Sequence, residues 1–533
     1  MAASAVESPR PEARRRRSAV TRALPSALCG AAAVAILVWL AWRTGGYFPA
    51  EHLLAGGIAF AVAGVLLVLR RPHYLVASEA LLALGALAAF AGWIGLSRVW
   101  SENPITAMED FDRALAYVGI FGLGLLAAGS GRLARILLWA LFAAIVAVAV
   151  GALVSRLHPD LIATSPTGLN PDPYRLSYPL GYWNALGAWA AMGLVLAVAL
   201  AADRSAWAGL RALAAGAAVP VGAALYLSLS RGAWAALAAG ALVLVLFAPR
   251  RRPLVTSAAI TGGAIALAIV LLAGEPALVD DPALGDGQQA AGDRVTPLLA
   301  LLALAAAVVQ GAVAAARVPR DLAPAWRSLR RLARAAAPWA AGAVVLVAIG
   351  AYLVKADAID RRASAAVVDA RDFVDRQWDE FMAAGAGPGS GRERLSSVRG
   401  TRSDLYGVAL DGFAASPFIG EGAGSFEYRW IHDREVTEKV RDAHSLYLET
   451  LSELGLVGLA ALALFLATVA AAALRARLRP RALSRAQAAG ATAAFAVWAV
   501  HAGVDWDWQM PALTGMALVL AATLFPLGRR SRA

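Results

Sequence analysis

The sequence predicts an all-α polytopic membrane protein. It reads as about 14 transmembrane helices, with one large external loop between the eleventh and twelfth and both termini cytoplasmic. Three observations carry this. The 533 residues are 59% hydrophobic and 16% charged, far more apolar and less charged than a soluble domain of this length can hide. The apolar residues fall in runs long enough to cross a bilayer. Basic and acidic residues alternate between the segments joining those runs. The same figures exclude a disordered chain and a disulfide-rich secreted scaffold.

In chain order the runs are 24–42, 52–69, 75–96, 113–129, 133–155, 181–202, 208–229, 232–248, 254–274, 295–316, 336–354, 446–474, 486–503 and 511–527. Arg14 to Arg17 precede the first run, and no small-residue cleavage site follows it. The N-terminus is therefore read as a tail and a first span and not as a signal peptide. With that tail in the cytoplasm, Arg70 and Arg71, Arg132 and Arg135, Arg204, Arg250 to Arg252, Arg317 to Arg334, Arg475 to Arg485 and Arg529 and Arg530 all fall on the cytoplasmic side. Glu102, Glu109, Asp110, Asp160, Asp172, Asp280, Asp281, Asp286, Asp505 and Asp507 fall outside. The net charge of +12 thus describes membrane orientation and gives no reason to expect nucleic acid. The chain divides into a basic tail (1–23), spans 1–11 (24–354), a large external loop (355–443), spans 12–14 (444–527) and a second basic tail (528–533). A loop that long crosses the membrane regardless of its many arginines.

Cys29, the only cysteine, lies in an apolar run and reads as a small core residue; it excludes an internal disulfide and a Cys-x-x-Cys pair. No Walker motif, His-Glu-x-x-His motif or Gly-x-Ser-x-Gly elbow is found, so an ATP-driven pump and a zinc protease are unsupported.

Three places remain where chemistry could reside. Arg231, in Ser230-Arg231-Gly232-Ala233-Trp234, sits between two apolar runs with almost no loop. Position alone leaves two readings, a snorkelling Arg that closes a helical hairpin or an anion site on the external side. In the large loop, Arg402 opens a short helix with Leu405, Ala409, Leu410 and Phe413 on one face, ending at Ser416-Pro417. Gly420-Glu421-Gly422-Ala423-Gly424-Ser425-Phe426 follows; it lacks the Lys-Ser/Thr ending of a phosphate-binding loop, and a tight packing turn is the better reading. Finally, His444 falls where the loop re-enters the membrane, in Arg441-Asp442-Ala443-His444-Ser445-Leu446-Tyr447-Leu448-Glu449, and a neutral imidazole there can accept a proton. Two weaker groupings are His501, Asp505 and Asp507, read as a metal site or, better, as solvated acids in an aromatic belt, and Tyr174, Tyr178, Tyr182 and Trp183 near Arg175, read as a belt or a sugar-stacking surface.

Taken together, Ser230 to Trp234, the segment from Arg402 through Pro417-Phe418-Ile419-Gly420-Glu421-Gly422 to Phe426, and Ala443-His444-Ser445 through Glu449 to Glu453-Leu454-Gly455 resemble the O-antigen ligase/polymerase superfamily of bacterial membrane glycosyltransferases. The order of these segments around one large external loop matches as well. The resemblance is specific over roughly 220–475 and rests on hydropathy elsewhere. Ser445 stands where family members often carry Asn.

The resemblance implies a metal-independent, cofactor-free inverting glycosyltransferase of the bacterial cytoplasmic (inner) membrane. Its partners would be membrane lipids, a polyprenyl diphosphate-linked glycan donor and a lipid- or glycan-borne hydroxyl acceptor, with no nucleic acid. It also implies roles. Arg231 and Arg402 would bind the diphosphate, for which an always-charged bidentate donor is suited. His444 would act as general base on the acceptor or orient it. Arg399, Arg441, Asp442 and Glu449 are secondary candidates. A polymerase would use the same donor chemistry as a ligase. A transporter or flippase is the competing class; it would show repeated halves and gives no reason for His444 at the loop junction. A purely structural assembly protein fits the charged external site less well.

Overall fold

A computed structural model describes residues 11–69, 74–75, 78–162, 164, 172–280, 286–316, 402–434, 439–480, 482–525 and 528–529. The described chain is helical apart from one antiparallel pair of two-residue strands, β1 (Tyr74–Leu75) and β2 (Gly528–Arg529), which joins the segment after the second helix to the C-terminal segment. The helices are α1 (Pro11–Ala41), α2 (Pro49–Leu69), α3 (Ser78–Ser97), α4 (Pro104–Ala127), α5 (Gly131–Leu157), α6 (Trp183–Ala202), α7 (Ala208–Leu227), α8 (Arg231–Phe247), α9 (Arg251–Ala273), α10 (Pro276–Val279) and α11 (Asp286–Ala315). After the large loop's first part come α12 (Arg402–Ala415), α13 (Phe426–Asp433), α14 (Leu446–Leu478), α15 (Arg485–His501) and α16 (Pro511–Ala522).

Among the described residues, nine helices are long and apolar enough to cross a membrane: α1, α2, α3, α5, α6, α7, α9, α11 and α14. α8 and α16 are apolar but shorter, at 17 and 12 residues. α4 is long enough, but its first turns carry Glu109, Asp110, Asp112 and Arg113. The predicted run 336–354 and the first half of the large loop lie outside the described residues. α1 begins at Pro11, inside the stretch read as a basic tail.

α6 is the central helix, with 89% of its most apolar stretch buried. It packs on α7, α8 and α15. Small residues let the backbones come close, as association inside a bilayer requires. A Cβ at Gly193 would stand 2.5 Å from Ile145 Cγ2, and one at Gly187 would stand 2.8 Å from the Ala233 Cβ.

α14 was expected as one unbroken span and is broken at Gly455 (φ 62°, ψ −162°). A break at that depth is tolerated only if the freed backbone groups find partners. They do. Trp93 Nε1 donates to the Leu454 carbonyl at 3.0 Å, Leu456 N donates to Pro417 O at 2.9 Å, and Val457 N donates to Phe418 O at 3.2 Å. In return, Glu421 N and Gly422 N donate to Ser452 O and Glu453 O at 3.0 and 2.8 Å. The Pro417–Gly422 segment is thereby stitched onto the broken helix.

The Gly-rich turn has the packing role expected of it. Ala423 N donates to Ser97 Oγ at 3.0 Å, and Ser101 Oγ donates to Ala423 O at 2.7 Å. Gly422 (φ 98°) lies against the Ser101 backbone, where a side chain would not fit. The short helix α12 forms where predicted, but its buried face is Leu405, Val408, Ala409 and Gly412. Leu410 is 49% exposed. At about 100° per residue it lies one step off the Leu405–Ala409 stripe.

Candidate active site

Both ends of the large loop's described part, and the ends of several membrane helices, meet at one end of the bundle. α6 begins there at Trp183, α8 at Arg231 and α14 at Leu446, while α15 ends there at His501. Leu446 N donates to Ala502 O at 2.8 Å, which locks the start of α14 to the end of α15. The side chains that share this end lie far apart in sequence.

Asp505 is the hub. Its carboxylate is 1% exposed and accepts from Arg402 Nη2 at 2.7 Å, Tyr182 Oη at 2.7 Å and Asn184 Nδ2 at 2.6 Å, besides the Trp506 amide at 3.0 Å. Burial alone would push this carboxyl up. Arg402, His444 and His501 outweigh it and hold Asp505 below the usual carboxylate range. The Arg402 guanidinium resists burial in the same way, kept charged by Asp505.

Arg175 extends the network. It donates to Asn184 Oδ1 at 3.2 Å and to Leu229 O at 2.9 Å, and its guanidinium stacks 4.3 Å from the centre of the Trp183 ring. Leu229, at φ 50°, is the left-handed residue in the Ser228–Ser230 turn. That turn reverses the chain between α7 and α8. Ser230 caps α8 by accepting from Ala233 N at 3.2 Å, and Arg231 is the first helical residue. Gly232 beside it faces His501, whose Nε2 would stand 3.2 Å from a Cβ there. Arg231 therefore stands at the same end of the bundle as Arg402.

His444 also has left-handed backbone, at φ 53°, a conformation His adopts more readily than most residues. Its Nδ1 lies 3.2 Å from the Asp442 carbonyl. With a proton on Nδ1 donated to that oxygen, Nε2 is the acceptor nitrogen. The imidazole lies 6.4 Å from the Trp506 ring, which itself packs 4.3 Å from Tyr182 and 5.5 Å from Tyr47. Ser445 caps α14 by accepting from Leu448 N at 3.4 Å.

Of the secondary candidates, Arg441, Asp442 and Glu449 form a neighbouring group and do not join Asp505. Arg441 lies 3.6 Å from Glu109 and 3.5 Å from Glu427. Asp442 is pushed up to about 6, first by burial and then by Asp110 and Glu427, against the pull of Arg113 and Arg441. Glu449 is a brace: its Oε2 accepts from Ala443 N at 2.9 Å, and its Oε1 accepts from Gln509 Nε2 at 2.7 Å. It fixes the backbone just before His444 to the turn that carries Asp505. Arg399 lies outside the described residues.

Two expectations need correction. Asp505 and Asp507 are not solvated acids of an aromatic belt. Both are buried, Asp505 on Arg402, Tyr182 and Asn184, and Asp507 on His501 at 2.7 Å. Burial pushes the Asp507 carboxyl up despite His501. Nor do Tyr182 and Arg175 act only as a belt; they are ligands of the polar network. Among the described residues, no group of three or more His, Cys, Asp or Glu is arranged to hold a metal ion. Residue type gave a hint in the paired Asp505-Trp506-Asp507-Trp508, but only the fold shows that Arg402, 103 positions away, is its partner.

Residues 295–463 match the family model described as O-antigen ligase. That match supports the O-antigen ligase/polymerase superfamily. No curated protein matches the chain. The ligase-family match runs from within α11 to within α14, so it takes in Arg402 and His444 and leaves Arg231 and Asp505 to either side.

Proposed function

We propose that this protein is a membrane glycosyltransferase that moves a glycan from a polyprenyl diphosphate carrier to a hydroxyl acceptor on the external face. The observation that carries the reading is the Arg402–Asp505 pair beside His444, within and next to the ligase-family segment. Cleaving a sugar–diphosphate bond develops charge on the leaving phosphate oxygens. Arg402 and Arg231 supply fixed positive charge at that end of the bundle, where water is scarce and the effect of charge is large. Asp505 takes one face of the Arg402 guanidinium and leaves the remaining N–H groups to point elsewhere. His444 Nε2 takes the acceptor proton as the hydroxyl oxygen attacks the anomeric carbon from the side opposite the diphosphate, which inverts that centre. Trp506, packed between Tyr182 and His444, offers a ring face to a sugar.

The test is a mass spectrum of carrier-linked glycans in cells whose only copy carries His444→Ala. Accumulated long carrier-linked chains identify a ligase. Accumulated single repeats identify a polymerase. Carrier-linked glycan unchanged from wild type overturns the glycosyltransferase reading.

A further inference from the structure

The helices that carry the candidate site also build a second one at their other end. α6 presents Asn184 to Asp505, and α8 begins and α15 ends at that same end of the bundle. At their opposite ends Ala202, Ala248 and Arg485 line a cavity of about 130 Å³. The 17 residues of α15 alone separate the two places by about 25 Å.

The cavity is two-faced. Ala199, Leu244 and Leu254 make an apolar wall, and Arg204, Arg250 and Arg485 make a cationic rim. Asp203 is the one carboxylate in its lining, so three arginines against one acid leave the cavity net cationic. Asp203 is 2% exposed and its oxygens are occupied: Oδ1 accepts from Ser205 N at 3.0 Å and Ser205 Oγ at 2.8 Å, and Oδ2 accepts from Ser484 Oγ at 2.9 Å. The ion pairs found among the described residues leave all three arginines out.

A net cationic rim over an apolar wall, with no ion pair to its arginines among the described residues, matches an amphiphile with an anionic head. We propose that this cavity binds the phosphate head group of an anionic membrane phospholipid. Arg204, Arg250 and Arg485 take the phosphate oxygens, and the wall of Ala199, Leu244 and Leu254 takes the adjoining carbons. Guanidinium groups suit phosphate by charge and by paired N–H geometry. The cavity volume suits a head group and not the acyl chains, which would run along α8 and α9. The bound lipid would tie together the ends of α6, α8, α9 and α15. This proposal is independent of the transfer chemistry and needs no activity to be tested.

The experiment is native mass spectrometry of the full chain in detergent, with phosphatidylglycerol, phosphatidylcholine or inorganic phosphate added. We expect retained phosphatidylglycerol and little phosphatidylcholine. In R204Q/R250Q/R485Q, phosphatidylglycerol binding should fall on the order of a hundredfold, the product of three surface charges. A248F, which narrows the cavity from its wall and leaves every arginine in place, should also lose the adduct. Equal retention of both lipids, or wild-type retention of phosphatidylglycerol in both variants, overturns the proposal. So does inorganic phosphate that binds as tightly as the lipid, since that would make the cavity a site for free anions.

Discussion

Arg402 Nη2 lies 2.7 Å from Asp505 Oδ2, and this contact joins the large loop to the turn between α15 and α16. It is asymmetric: Asp505 is 1% exposed at its side chain, while Arg402 is 30% exposed. Truncating the arginine would therefore leave a buried carboxylate without its cation, which typically costs about 3–5 kcal/mol. Arg402→Ala is expected to lower the midpoint of thermal unfolding in detergent, and adding Asp505→Asn is expected to restore part of the loss. A double variant no more stable than Arg402→Ala would mean that Tyr182 and Asn184 already satisfy Asp505.

His444 should be separable from stability. Its ring is held at one edge by the Asp442 carbonyl. His444→Ala is expected to keep normal membrane levels and lose transfer by about 10²–10⁴-fold, the usual contribution of a positioned base. Arg231→Ala should likewise keep membrane levels and lose about 10²–10³-fold, as when a charge-stabilising donor is removed. Glycan transfer in membranes carrying either variant measures this, and wild-type rates in either would sink the assignment of that residue.

Asp442 gives the molecule a pH dependence with a definite sign. Its carboxyl is pushed up to about 6 by burial, against about 3.9 for an exposed Asp. Between those values the folded chain binds more protons than the unfolded chain. Stability from this group therefore falls as pH rises from about 4 to about 6 and is flat above. Asp505 has the opposite sign: held low by Arg402, it adds stability that is lost only as pH falls below the ordinary carboxylate range. Thermal unfolding across pH 4–7 should show the first trend, and Asp442→Asn should flatten it.

Gly422 reports on packing alone. At φ 98°, with the Ser101 Cα 2.5 Å from where a Cβ would be, it cannot take a side chain without moving the loop between α3 and α4 away from the turn. Gly422→Ala is expected to destabilise by about 2–4 kcal/mol from strain and overpacking together. A variant that elutes as a single species in detergent with an unchanged unfolding midpoint would contradict this.

Helices needed little beyond the sequence to be found. Apolar runs report burial in lipid residue by residue, and every predicted run within the described residues falls on a helix. Arg402 and His444 were legible because they sit in recognisable segments of a large polar loop. Asp505 was not. Its neighbours in sequence are aromatic, and an acid beside Trp506 and Trp508 in a short turn looks solvated until Tyr182, Asn184 and Arg402 are seen around it. The break at Gly455 was hidden for a similar reason: the apolar run continues through it, and the partners that make it tolerable come from Pro417 and Phe418.

By itself the sequence determined a helical membrane protein, the end of the bundle where polar chemistry gathers and two of the residues expected to perform it, because hydropathy and charge are local properties. Only the tertiary structure decided that Asp505 holds Arg402, that Glu449 braces the backbone before His444 and that Arg204, Arg250 and Arg485 share one cavity. Apart from the Glu449–Ala443 bond, these bring together residues tens to hundreds of positions apart. Helix packing sets such distances, and no run of neighbouring side chains encodes them.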